Sequence, residues 1–167
     1  MPDQTRFLVA AVLLSLISCS STPQNSENVY RGPRAVVVNG EVIAPSGVPR
    51  PVEKAIAAAN SINHLPYQFG GGHGRACYGL DCSGTVSYVL RNAGLINDCM
   101  PSKAFRDYGK PGPGKYITIF ARDGHVFMTI CGLRFDTTSN GSGHVGPRWM
   151  TNPRNLKGFK MRHPPGL

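Results

Sequence analysis

Cys82 and His125 are the two residues whose types and surroundings best fit a nucleophile and its base. Cys82 stands in YGLDCSGTVSYVL, between a glycine-rich stretch and an apolar run with helical spacing, so it falls at the predicted start of a helix. A helix N-terminus carries partial positive charge and free N–H groups, which favour an anion such as a thiolate and can hold an oxyanion. His125 opens a predicted strand directly after a tight turn, in DGHVFMTI, from where its ring can project into a cleft. The pair indicates nucleophilic catalysis by a thiolate.

A third side chain should orient the imidazole of His125. The candidates are Asp136 and Thr137 on the next predicted strand, and His144 in the loop after it. We favour Asp136, because a carboxylate can hold the ring N–H and stabilise an imidazolium. Strand alternation decides between the two neighbours, since only one of them can reach the cleft of His125, and a one-residue bulge would exchange them.

Cys82 could instead be a packed thiol, half of a disulfide or a metal ligand. His73, Cys77 and Cys82 are close in sequence, but zinc sites usually use tighter pairs such as C-x2-C, so we expect neither a metal nor any other cofactor. The GGGHG stretch lacks the Lys-Ser/Thr of a phosphate-binding loop and is interpreted as a flexible loop, in which His73 borders the cleft.

A Cys77–Cys99 disulfide would tie the loop before the helix to the loop after it; separate thiols are the other interpretation. Cys131 is expected to be packed.

The N-terminus has the pattern of an export signal. The apolar run from Phe7 to Ile17 has the length of a signal-peptide core and is too short to span a bilayer. It ends in Leu-Ile-Ser-Cys, which resembles a lipobox, so we expect residues 1–18 to be a lipoprotein signal peptide and Cys19 to be lipidated. An ordinary cleaved signal is the alternative. The polar residues 19–34 are predicted to be a flexible tether. The protein is then exported to an oxidising space and lipid-anchored in the cell envelope, at the outer membrane and periplasm if the host is Gram-negative.

The remaining residues, 35–167, are predicted to form one α+β domain. AVVVNGEVI has the Asn-Gly signal of a hairpin, and residues 51–63 and a run from Asp81 to Ala93 have helical spacing. The segments KYITIFA, HVFMTIC and LRFDTT predict an antiparallel meander, and LKGFKMRH predicts a last strand. The order is helix, loop, helix and then sheet.

Charge limits the classes of partner. The 167 residues carry a formal charge of +9, which favours nucleic acid, lipid headgroups or an acidic cell-wall polymer as surroundings. No RNA-binding signature, zinc-finger spacing or long basic helix is visible, so we expect no nucleic-acid partner, and we expect a monomer. The basic residues of the C-terminal third are interpreted as a solvated face, with affinity for anionic glycan or lipid as the alternative; they include Arg148, Arg154, Lys157, Lys160 and Arg162.

Residues 51–137 resemble the NlpC-type papain-like cysteine peptidases of bacterial cell walls. The most specific motifs are Asp-Cys-Ser-Gly at 81–84, after a Pro-Tyr-x-aromatic-Gly-Gly loop at 66–71, and Gly-His-Val at 124–126. The resemblance implies a papain-like fold, with the nucleophile at the N-terminus of a helix packed on an antiparallel sheet. It also implies cleavage of peptidoglycan stem peptides without a metal, by Cys82 as nucleophile and His125 as base. Tyr67, Asp81 and Ser83 match positions that shape the substrate pocket, where the acidic residue can meet the free amine of a stem peptide.

The sequence departs from that family at two places. The usual Pro-Gly-Asp-Leu before the central strand is here Pro-Gly-Lys-Tyr, at residues 113–116. The third catalytic position is usually His, Asn, Gln or Glu, whereas counting twelve residues from His125 gives Thr137, next to Asp136. Two alternative functions therefore stay open: a catalytically inactive lipoprotein that binds cell wall, and another amidase or acyltransferase on the same fold.

Overall fold

The described residues, 25–74, 78–139 and 145–167 of a computed structural model, form an α+β fold, as predicted. The helices are α1 (Ser26–Val29), α2 (Arg50–Ile62) and α3 (Cys82–Asn92), with a 3-10 helix at Ala104–Asp107. The strands are β1 (Val36–Val38), β2 (Glu41–Ile43), β3 (Lys110–Pro111), β4 (Ile117–Arg122), β5 (His125–Ile130), β6 (Leu133–Asp136), β7 (Arg148–Met150) and β8 (Lys160–His163).

The main sheet has six antiparallel strands in the order β3-β8-β4-β5-β6-β7. Strands β4, β5 and β6 form the predicted meander, because two tight turns join three segments rich in β-forming residues. Strand β8 covers the second half of the predicted last strand and lies between β3 and β4. The short strands β3 and β7 were not predicted; β3 falls in the predicted turn KPGPGK.

The predicted hairpin and first helix are both confirmed. Strands β1 and β2 pair through a turn in which Asn39 and Gly40 have φ of 52° and 84°, as the Asn-Gly signal requires. The predicted apolar face of α2 is buried throughout. The Asn60 side chain connects these elements, because its amide accepts from Val42 N–H at 3.1 Å and from Trp149 Nε1–H at 2.8 Å.

Helix α3 packs on the sheet through its predicted apolar face, with Val86, Val89 and Leu90 fully buried against residues that include those of β5. Its N-terminus lies close to the glycine-rich loop: a Cβ on Gly84 would overlap the carbonyl of Gly71. This close approach fixes the first turn of α3 against the loop at residues 66–74.

The sheet buries apolar residues on both faces. Helices α2 and α3 cover the face that carries Val126, Met128 and Ile130 of β5. The opposite face carries a smaller cluster, in which the rings of Phe120 and Phe127 stack at 4.7 Å between centroids. This second cluster also contains Leu156 and Phe159 of the loop before β8, Met161 of β8 and Val29 of α1.

Residues 25–34 differ from the predicted tether, because they pack on the domain. Ser26 is buried; its N–H donates to the Arg154 carbonyl at 3.2 Å, and its Oγ accepts from Arg154 N–H at 3.1 Å. Tyr30 is buried in the main core. The predicted signal peptide 1–18 and the predicted lipidation site Cys19 lie outside the described residues. Within the described part of the chain, no helix has the length and apolar character needed to cross a bilayer.

Candidate active site

Cys82 is the first residue of α3, as predicted, and is 8% exposed. The helix begins there because Asp81 caps it: the carboxylate accepts from Gly84 N–H at 2.6 Å, and the Asp81 carbonyl accepts from Thr85 N–H at 2.9 Å. Cys82 is therefore at the positive end of the helix, where the first N–H groups have no acceptor within the helix.

His125 lies between Cys82 and Asp136. It is the first residue of β5, so its ring is at the end of the sheet, and its side chain is 12% exposed. Nε2–H donates to Asp136 Oδ1 at 3.0 Å, which leaves Nδ1 as the ring nitrogen available to the Cys82 thiol. Burial lowers the pKa of His125, but the hydrogen bonds and charges of Asp136 and Cys82 outweigh it and raise the pKa above its ordinary value.

The register of β5 and β6 selects Asp136 over Thr137. Met128 is paired with Phe135, so these two side chains share a face of the sheet. Alternation places His125 and Asp136 together on the other face, without a bulge between them. Thr137 contributes its backbone instead, since its N–H donates to Asp136 Oδ1 at 2.8 Å. His144 lies outside the described residues.

The Asp136 carboxylate is fully buried, and both of its oxygens accept hydrogen bonds. Oδ1 accepts from His125 and from the N–H groups of Thr137 and Thr138, at 2.8 and 3.2 Å. Oδ2 accepts from Arg154 Nη1 at 2.9 Å and from Arg134 Nη1 at 3.4 Å. Burial raises the pKa of Asp136, but the hydrogen bond and charge of His125 and the two guanidinium groups lower it below its ordinary value. The carboxylate is therefore ionised and fixed in orientation.

Two arginines that the sequence analysis did not assign to the site support Asp136. Arg134 is buried, and its Nη2 donates to Asn152 Oδ1 at 2.8 Å. Burial lowers the pKa of Arg134, while the Asp136 charge opposes that shift. Arg154, interpreted from sequence as part of a solvated face, is instead largely buried and also donates to Thr138 Oγ1 at 2.8 Å. Arg134 precedes Asp136 by two residues, so strand alternation could have indicated it; Arg154 had no such signal.

The residues matched to a substrate pocket lie around Cys82. Tyr67 is partly exposed, and burial together with the neighbouring Cys82 and Asp81 side chains raises the pKa of its phenol. Asp81 is buried, with Oδ2 accepting from Gly70 N–H at 3.0 Å and Oδ1 accepting from Ser83 Oγ–H at 2.9 Å. Asp81 therefore acts first as the helix cap, and its contact with a substrate amine stays a prediction.

His73 borders this group, with Nε2 at 3.3 Å from Asp81 Oδ1 and at 3.1 Å from Ser83 Oγ. Among the described residues, no three His, Cys, Asp or Glu side chains come together as ligands for a metal ion. Cys82, Cys99 and Cys131 form no disulfide with one another; Cys99 Sγ–H donates to the Gly72 carbonyl at 2.7 Å, and Cys131 is buried. Cys77, and so the predicted Cys77–Cys99 pairing, lies outside the described residues.

The arrangement can deprotonate a thiol, because an imidazole backed by an ionised carboxylate is a general base held in one orientation. The same ring can return the proton to a leaving group. No protein-family model and no curated protein matches the chain, so the geometry of Cys82, His125 and Asp136 carries the functional conclusion.

Proposed function

We propose that this protein is a papain-like cysteine endopeptidase that cleaves stem-peptide amide bonds of peptidoglycan. The observation that carries the proposal is the position of His125, which donates to Asp136 on one side and lies close enough to Cys82 on the other for the thiol to help raise the pKa of the ring. The order of the groups along the chain, a cysteine at a helix start followed by a histidine at a strand start, agrees with the resemblance to NlpC-type peptidases.

In the proposed reaction His125 takes the proton of the Cys82 thiol, and the thiolate attacks the carbonyl carbon of the scissile amide. The resulting imidazolium is stabilised by Asp136 and gives its proton to the leaving amine as the C–N bond breaks. A thioester then joins the acyl group to Cys82. His125 next takes a proton from water, and the hydroxide attacks the carbonyl carbon of the thioester. The C–S bond then breaks to release the acid, and the imidazolium returns its proton to the Cys82 thiolate, which restores the free thiol.

The start of α3 supplies the hydrogen-bond donors for the oxyanion of the tetrahedral intermediate, which forms when the thiolate attacks the carbonyl. The first N–H groups of a helix have no acceptor within the helix, and that of Gly84 is already used by Asp81. The N–H groups of Cys82 and Ser83 are then the oxyanion donors in this proposal. Loss of one such donor typically costs about 100-fold to 1000-fold in turnover.

The substrate class rests on the resemblance and on what surrounds Cys82. Tyr67, Asp81 and Ser83 are gathered beside the thiol, where a peptide next to the scissile bond would lie. The chain's formal charge of +9 suits an anionic cell-wall polymer. Export and lipidation at Cys19 would place the enzyme in the cell envelope, where peptidoglycan is found.

The proposal is tested by incubating purified peptidoglycan with the full-length protein in detergent, and in parallel with its Cys82→Ala variant. We expect the unaltered protein to release peptides with new N-termini inside the stem peptide, detected by mass spectrometry, and the variant to release none. Thr137→Val is the matched control, because Thr137 uses only its backbone at the site. Equal fragments from the unaltered protein and Cys82→Ala would overturn the proposal, and binding of peptidoglycan without cleavage would favour the cell-wall binder.

A further inference from the structure

A basic cavity lies beside the proposed base, on the face of the sheet opposite the helices. It has a volume of about 490 Å³ and is lined by Arg122, Arg154, Asn155, Lys157 and Phe159. The lining therefore carries three cationic side chains around one aromatic ring. None of these residues has a role in binding substrate in the reaction proposed above.

Two of the cations are available to a ligand. Arg154 already pairs with Asp136, but among the described residues neither the Arg122 guanidinium nor the Lys157 ammonium has a carboxylate partner. Asp123, next to Arg122 in the chain, pairs instead with Arg106 at 2.8 Å. Like charges gathered at one cavity repel each other, so an anion that enters it lowers their electrostatic energy.

Phe159 holds the guanidinium groups in place. Arg122 Cζ lies 4.8 Å from the centre of the Phe159 ring, and Arg154 Cζ lies 5.5 Å from it. Positioned guanidinium groups lose less conformational entropy on binding and suit planar, bidentate recognition of a carboxylate. The cavity is therefore organised before any ligand arrives.

The cavity adjoins His125, and its Arg154 pairs with Asp136. Arg122 is the cross-strand partner of His125, so both side chains lie on one face of the sheet. The His125 ring meets the Phe159 ring edge to face, with 6.2 Å between centroids. A peptide whose scissile bond reaches His125 can therefore place a neighbouring carboxylate at the cavity.

We propose that the Arg122–Lys157 cavity is a subsite that binds a carboxylate of the peptide substrate, next to the bond that is cleaved. This inference rests on the proposed function, since it assigns the substrate of the same site. Its direct consequence is a preference for peptides with free carboxylates over the corresponding carboxamides.

The test measures binding, so that it does not depend on turnover. The Cys82→Ala variant of the full-length protein is titrated calorimetrically with a stem-type tetrapeptide that has free carboxylates, and with its fully amidated twin. We expect the acid to bind about 10-fold tighter, in line with a charge-assisted bidentate contact. Adding Arg122→Gln and Lys157→Gln should reduce the preference to less than about 2-fold, whereas adding Lys54→Gln, an exposed lysine on α2, should leave it unchanged.

A preference that survives Arg122→Gln/Lys157→Gln would overturn the subsite. So would phosphatidylglycerol vesicles that bind through these two residues and displace the acid peptide, because the cavity would then face lipid. The two proposals fail separately: cleavage of peptidoglycan without acid preference removes only the subsite, whereas acid preference without cleavage removes the peptidase and leaves the cavity as a carboxylate-binding site alone.

Discussion

Asp136 combines the two properties that a group behind an imidazole needs. It is ionised, because two arginines and two backbone N–H groups stabilise its carboxylate, and it is immobile for the same reason. Thr137 could accept a ring N–H, but a neutral hydroxyl would stabilise an imidazolium far less. At the residue scale the site is therefore a carboxylate-backed imidazole beside a helix-start thiol.

Replacing Asp136 by Asn should change both the rate and the His125 titration. We expect kcat/KM for peptidoglycan peptides to fall by about 100-fold to 10000-fold, because the carboxylate no longer fixes the tautomer of the neutral His125 ring or stabilises its imidazolium form. The pKa of His125 should move downward, since the Asp136 charge raises it in the unaltered protein. NMR titration of the ring protons measures that shift. Thr137→Val should stay within about 3-fold of the unaltered rate; a larger loss there than in Asp136→Asn would contradict the assignment.

The placement of these side chains was largely predictable, because its signals are local. A helix start identified Cys82, a strand start identified His125, and carboxylate chemistry favoured Asp136 over its neighbour. Arg154 could not be predicted, since a loop residue 18 positions away from its partner has no periodic pattern that points to it. Only the three-dimensional path of the C-terminal loop brings it to Asp136.

At the element scale, the site depends on how α3 meets the glycine-rich loop. Gly84 of α3 and Gly71 of the loop approach too closely for any side chain at position 84. The capped first turn and the loop are therefore fixed against each other, which holds Tyr67 and Asp81 beside Cys82.

Gly84→Ala tests this packing, because two effects of opposite sign compete. Helix propensity favours Ala over Gly by about 1 kcal/mol, whereas overlap with the Gly71 backbone costs about 1–3 kcal/mol and cannot be relieved by a rotamer change. We expect a net loss of unfolding free energy in urea and a drop in activity. Gly40→Ala is the control, since its Cβ would meet nothing within 4 Å, although φ there is 84° and costs about 1 kcal/mol. A more stable Gly84→Ala would contradict the packing.

The N-terminal segment is coupled to the site through Arg154. Ser26 Oγ accepts the Arg154 backbone N–H at 3.1 Å, and the Arg154 side chain holds Asp136. Ser26→Ala should therefore lower the unfolding free energy by about 1 kcal/mol and speed proteolysis at residues 25–34, because a buried N–H loses its acceptor. Ser61→Ala, at a helix surface position, should stay within about 0.5 kcal/mol. Identical proteolysis of the two variants would show that residues 25–34 are not fastened at Ser26.

Most elements could be predicted from periodicity and turn signals, and the misses have physical reasons. Helices α2 and α3 and strands β4 to β6 are long enough for their pattern to be read. Strands β3 and β7 have two and three residues and exist only because they pair with distant strands. The packing of residues 25–34 depends on Val29 and Tyr30, two apolar residues in a polar stretch, whose partners lie in the cores of the domain.

At the scale of the whole molecule, buried charge makes stability depend on pH. The pKa of Asp136 is lower in the folded protein, so its contribution is present above its ordinary value of about 3.9 and is lost as pH falls through the folded pKa. The pKa of His125 is raised, so its contribution is present below about 6.5 and is lost as pH rises through the folded pKa. Together they favour a stability maximum in weakly acidic solution.

The Asp136 contribution can be isolated by comparing unfolding curves at two pH values. At pH 7, Asp136→Asn should be less stable by about 3 kcal/mol, because Arg134 and Arg154 lose their counter-charge inside the protein. At a pH below the folded pKa of Asp136 the difference should shrink, since the carboxylate of the unaltered protein is then protonated as well. Urea unfolding followed by circular dichroism measures both values. A difference that stays constant between these pH values would contradict an ionised, paired Asp136.

The most direct test of the central claim, that His125 activates Cys82 as a nucleophile, is the rate of alkylation of Cys82 by iodoacetamide at pH 7. Peptide mass spectrometry follows Cys82 in the unaltered protein and in His125→Ala, with the half-buried Cys99 as the internal reference. We predict that Cys82 reacts at least about 10-fold faster with His125 present, because the thiolate is the reactive form. Removing the ring also uncovers Cys82, so steric access alone would change the rate in the opposite direction. An equal or faster reaction in His125→Ala would contradict the claim.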